Sequence, residues 1–77
     1  MKTTYKKLWK LLIDREMTKS DLRERAGISS ASLAKLGKGE NVSMAVLLKI
    51  CSTLNCDIGD IVETVKDNNT SETGLNP

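Results

Sequence analysis

The sequence predicts an all-α domain of five short helices, and three observations carry that expectation. Four stretches repeat one kind of start, in which an apolar residue precedes a capping residue and a second apolar residue follows four positions after the cap. They are Met17-Thr18-Leu22, Ile28-Ser29-Leu33, Val42-Ser43-Leu47 and Cys56-Asp57-Ile61. A Ser, Thr or Asp oxygen at such a place accepts an orphan N–H of the first turn, and the apolar pair clamps the incoming chain. Ahead of them, Tyr5, Leu8, Trp9 and Leu12 recur at helical spacing, which adds an amphipathic helix at the front. Finally, no segment alternates apolar and polar residues with period two and the single proline is Pro77, so no strand is expected.

Taken in order, the first helix spans about Thr4 to Glu16, with Lys6, Lys7, Lys10 and Asp14 mostly off its apolar face. The second runs from about Lys19 to Ala26; Asp21, three residues past the Thr18 cap, sits in the positive end of its dipole. Gly27 stops it, because glycine takes the left-handed conformation after a last turn at no steric cost. Ser29 restarts the chain as a third helix, about Ser30 to Leu36, with Leu33 and Leu36 as its apolar edge; Gly37 and Gly39-Glu40-Asn41 are expected to break it. The fourth, about Met44 to Leu54, is apolar at Met44, Leu47, Leu48, Cys51 and Leu54. A short fifth, opened by Asp57, carries Ile58, Ile61 and Val62, with Asp60 again three past the cap.

A chain of 77 residues has room for one small core. That domain is expected to cover residues 1–64, and the polar composition of 65–77 predicts a disordered tail. Lys, Asp or Glu interrupts every apolar run before it reaches membrane-spanning length, so a soluble, cytoplasmic protein is expected. Cys51 and Cys56 lie five apart in a chain without histidine, so one copy cannot assemble a four-ligand zinc site and two buried, reduced thiols are expected. The same lack removes Ser-His and Cys-His nucleophile pairs, and no glycine-rich phosphate loop is present. The inventory therefore argues against an enzyme and calls for no cofactor.

Net charge is only +2, but it is unevenly spread. Residues 1–38 hold ten Lys and Arg against four acids, and residues 39–77 hold two against six. The positive half contains the second and third helices, and a field of that sign draws in phosphate and weakens with salt.

Two short helices back to back with a glycine between them have the layout of a helix-turn-helix. Met17 to Glu40, MTKSDLRERAGISSASLAKLGKGE, resembles the helix-turn-helix of the Cro and lambda-repressor-like family, the xenobiotic-response-element type of bacterial and phage regulators. The resemblance extends from about Tyr5 to Glu63. Gly27 stands at the turn glycine, and Leu33 and Leu36 stand at core positions of the recognition helix. One departure is Arg23, where the family commonly has alanine.

The resemblance implies a transcriptional regulator that binds double-stranded DNA, with the third helix in the major groove. At about 100° per residue, the side chains opposite the Leu33/Leu36 edge are Ala31, Ala34, Lys35 and Lys38, with Ser30 and Ser32 on the flanks. Ser30, Ala31, Ala34 and Lys35 are the base-contact candidates. Lys35 has the chemistry for guanine O6 or N7, Ser30 for several bases and Ala31 for a thymine methyl. No Arg, Asn or Gln stands on that face, so direct readout is expected to be shallow and supplemented by DNA shape. Lys19, Ser20, Ser29, Lys38 and Asn41 are the phosphate-contact candidates. Trp9 and Tyr5, the only aromatic residues, read as core and boundary packing, which disfavours recognition of single strands. Ile50, Ile58 and Val62 exceed what one core is expected to absorb and are candidates for a homodimer surface. The competing expectation is a protein-binding module on the same scaffold, such as an antitoxin, antirepressor or accessory subunit, docking through those residues.

Overall fold

The computed structural model describes residues 1–66. Strand β1 (Lys2–Thr4) is followed by helices α1 (Lys6–Asp14), α2 (Lys19–Ala26), α3 (Ser30–Lys38) and α4 (Met44–Leu54), a 3₁₀ turn (Ile58–Asp60) and strand β2 (Glu63–Val65). The bounds expected for the second and fourth helices coincide with α2 and α4.

Three expectations are corrected. Among the described residues four α-helices form, not five. Asp57 and Asp60 do make the anticipated reciprocal cap, with the Asp57 N–H donating to Asp60 Oδ2 at 2.9 Å. The turn nevertheless ends at once, because Ile61 is driven fully into the core and Val62 leads the chain into β2. Strands do exist: β1 and β2 pair antiparallel, with Lys2 opposite Val65, Thr3 opposite Thr64 and Thr4 opposite Glu63. Three residues are too few to display alternation, and the hydrogen-bonding partner lies at the other end of the described chain. Thr4 is thereby drawn out of the first helix, which begins at Lys6. Val65, read from composition as tail, belongs to the sheet; residues 67–77, the remainder of the expected tail apart from Lys66, lie outside the described residues. The third correction is that α3 runs through Gly37 to Lys38 and stops at Gly39, whose φ of 75° closes the last turn. An interior glycine costs a helix only about 1 kcal/mol, so Gly37 is carried while Gly39 terminates.

The core gathers side chains from every α-helix and the 3₁₀ corner, with Leu8, Leu22, Leu36, Ile50, Leu54 and Ile61 fully buried. α4 packs chiefly on α2. Its inner face differs from the expected one. Ile50 is 0% exposed, whereas Met44 and Leu48 stand 58% and 56% exposed. Ile50 is therefore removed from the candidate docking residues, because the face of α4 turned to α2 passes through Leu47, Ile50, Cys51 and Leu54. Ile58 and Val62 are half-buried against the core, and so is Trp9. Leu33 is half-buried, leaving Leu36 as the buried residue of α3.

Candidate nucleic-acid interface

The caps that announce α2 and α3 also set their mutual geometry. Thr18 Oγ1 accepts the Asp21 N–H and Asp21 Oδ2 accepts the Thr18 N–H, both at 3.0 Å. These bonds from Thr18, with a smaller contribution from Arg25, hold the Asp21 carboxyl below the usual aspartate range. α2 ends in Gly27 at φ 69°, where the N–H groups of Gly27 and Ile28 both donate to the Arg23 carbonyl, at 3.0 and 3.2 Å. Ile28 is buried immediately afterwards and turns the chain into Ser29. Arg23, the residue that departs from the usual small side chain, keeps its side chain 37% exposed, with its guanidinium 4.0 Å from the Glu24 carboxylate.

Ser29 Oγ accepts the Ser32 N–H at 3.1 Å and donates to Ser32 Oγ at 3.2 Å. That hydroxyl is thus engaged in the cap, and the groups that α3 offers to an anion are the first-turn N–H groups of Ser30 and Ala31, which have no acceptor within the helix. Beyond the cap, Ser30, Ala31, Ala34 and Lys35 are all exposed, as the helical wheel expects. Lys38 is the last residue of α3 and is also exposed.

The flanking candidates precede and follow α3 in the chain and are anchored by different neighbours. Lys19 and Ser20 occupy the first turn of α2 and are exposed. Lys19 Nζ lies 4.5 Å from the centre of the Trp9 ring, a cation–π contact that holds the ammonium at the surface of α1. After α3, Asn41 Oδ1 accepts the Thr3 hydroxyl at 2.8 Å, which leaves the Asn41 NH₂ as the group that can donate outward. Tyr5 Oη donates to the Glu40 carbonyl at 2.8 Å and fixes the same loop from beneath. Burial pushes the Tyr5 phenol above its ordinary range, with a bond from the Val42 backbone partly opposing it.

Thr3 and Tyr5 were missed as positioning residues by sequence reasoning. Thr3 carries no local signal, and Tyr5 reads as ordinary core. Both act on the loop after α3 through contacts that span most of the described chain.

A helix capped at both ends, presented with small and basic side chains outward and flanked by basic and amide groups, is the layout of a helix-turn-helix reader. Comparison with known proteins decides the family. Residues 7–67 match the Cro/C1-type HTH DNA-binding domain. The chain belongs to that family. Over 62 residues, 78% of this chain and 74% of the other, it is 39% identical to YozG of Bacillus subtilis (strain 168), described as an uncharacterized HTH-type transcriptional regulator. It also superimposes on the crystal structure of the transcriptional regulator VanUg, with a TM-score of 0.83, 59% identity and coverage of 86% of this chain and 88% of that one. The chain is thus a DNA-binding helix-turn-helix domain whose relatives are transcriptional regulators. No helix among the described residues is long and apolar enough to cross a membrane.

Proposed function

We propose that this chain regulates transcription by binding duplex DNA in a sequence-dependent way, with α3 in the major groove and repression arising from occupation of promoter DNA in the cytoplasm. The observation that carries the reading is the outward face of α3. Ser30, Ala31, Ala34 and Lys35 are exposed together on a helix whose first-turn N–H groups are open to a phosphate. Lys35 and Ser30 supply hydrogen bonds to base edges, and the two alanines let the helix approach closely enough to touch thymine methyls. Lys19, Ser20, Lys38, the Asn41 NH₂ and the α3 start grip the backbone. Small side chains make direct readout sparse, so groove width and bendability contribute the rest of the selectivity.

Two copies bind together in this reading, presenting two α3 helices to successive major grooves about 34 Å apart. Met44 and Leu48, one turn apart and exposed on α4, support such pairing, with half-buried Ile58 and Val62 as further candidates. The same exposed pair supports the second reading, in which a different protein docks on this scaffold.

Fluorescence anisotropy on labelled duplex from the chain's own upstream region, beside a scrambled duplex and across a salt series, tests the proposal. Tighter binding to its own DNA that survives physiological salt is the expected result. Equal, weak binding lost with salt would leave only a nonspecific DNA interaction and direct attention to the α4 surface.

A further inference from the structure

Both cysteines of the chain lie at one corner, where α4 ends and the 3₁₀ turn begins. Asn55 closes α4 in the left-handed conformation, φ 54°, and the Cys56 N–H donates back to the Cys51 carbonyl at 3.1 Å. That bond is the wrap of a Schellman-type helix end, in which the residue after the left-handed one packs against the residue five positions earlier. Two apolar side chains frequently make this contact; here the two positions are cysteines, Cys51 in the core and Cys56 packed against it, with the Cys51 thiol directed to the Cys56 sulfur. The two differ in access. Cys51 is 9% exposed. Cys56 is half-buried and opens into a surface groove lined by Lys7, Lys10 and Arg15 together with Asp14 and Asp60. Lys7 donates to the Gly59 carbonyl at 3.2 Å and Arg15 to the Leu54 carbonyl, so both cations are tethered around the corner that carries Cys56.

We propose that Cys51 and Cys56 are a dithiol site that hydroperoxides close to an intramolecular disulfide. Cys56, the accessible member, attacks the distal peroxide oxygen as its thiolate. The O–O bond breaks, the alcohol or water leaves with a proton, and Cys56 becomes a sulfenic acid. The Cys51 sulfur then attacks the Cys56 sulfur; the S–S bond forms, the S–O bond breaks, and the departing hydroxide takes the Cys51 proton as water. Two thiols are oxidised by two electrons and one peroxide is reduced. Burial and the neighbouring Cys56, Asp57 and Asp60 hold the Cys51 thiol above its ordinary range, which disfavours it as the first attacker.

The test treats the purified full chain with hydrogen peroxide and reads intact mass and gel mobility without reductant. The expected result is a monomer lighter by two hydrogens, reverting with dithiothreitol. Cys51→Ala, with helix content checked by circular dichroism, should instead leave a sulfenic acid on Cys56 that dimedone traps. Cys56→Ser should leave Cys51 unmodified under the same exposure. Sulfinic acid on Cys56 beside a free Cys51 thiol would overturn the proposal, and so would disulfides that form only between chains.

Discussion

α3 and α4 are alike at their ends and different along their sides. Each opens on a serine whose Oγ accepts a first-turn N–H, Ser32 at 3.1 Å in one and Val46 at 3.2 Å in the other. Each closes on a left-handed residue, Gly39 at φ 75° and Asn55 at φ 54°. Yet α4 buries Leu47, Ile50, Cys51 and Leu54, while α3 buries only Leu36. The difference teaches that α4 is held by its flank and α3 largely by its termini. A helix held at its termini keeps most of its surface for something outside the fold, and that is what a groove-reading helix requires.

The largest effect that could break this comparison is at Ile50. Truncation to alanine should lower unfolding free energy by about 2–5 kcal/mol in urea denaturation, because the side chain is fully enclosed. A cost under 1 kcal/mol would mean that α4 is not the central packing helix. Next, Lys35→Ala should weaken DNA binding by about 1–3 kcal/mol and alter sequence preference, with an unchanged melting temperature. Lys38→Ala should weaken binding to all duplexes alike and reduce the salt slope by about 1. If both variants bound like the parent, α3 would not be the reading helix.

Smaller effects sharpen the contrast between the two caps. Ser29→Ala and Ser43→Ala should each cost about 1 kcal/mol of stability. Only Ser29→Ala should also reduce DNA affinity, since α3 has little side packing to restore the position of its first turn. The smallest effect expected is in acid. Asp21 is held below its ordinary range by Thr18, so its contribution is present above the unfolded aspartate value and disappears as pH falls through the lower, folded one. Asp21→Asn should flatten that part of the curve of melting temperature against pH. Tyr5 acts on the alkaline side with the opposite sense: its raised phenol loses stability as pH climbs through and above the ordinary tyrosine range, and Tyr5→Phe removes that dependence.

Much of the candidate reading surface was legible because its signals are local. Thr18, Asp21, Gly27 and Ser29 each act within one turn, so their spacing is enough to bound α2, and the phase of Leu36 is enough to turn Lys35 and Ala34 outward. Gly37 misled because a glycine that breaks a helix and one merely carried by it look alike until Gly39 is seen to take the left-handed conformation. α4 misled for another reason. Its apolar residues are numerous enough to permit two faces, and the phase that places Ile50 inward and Met44 and Leu48 outward is set by where α2 lies.

By itself, then, the sequence determined the starts of α2, α3 and α4, the cap of the 3₁₀ turn, the glycine turn, the basic half of the chain and the family layout they compose, since each follows from hydrogen bonds and charge within a few residues. Only the tertiary structure decided the pairing of Lys2–Thr4 with Glu63–Val65, the choice of α4 face, the hold of Thr3 and Tyr5 on the loop after α3, and the meeting of Cys51 with a partly open Cys56. Most of these depend on groups brought together from distant parts of the chain. The cysteine pair depends instead on how deeply each thiol sits in the finished core, and neither kind of information is carried by local spacing.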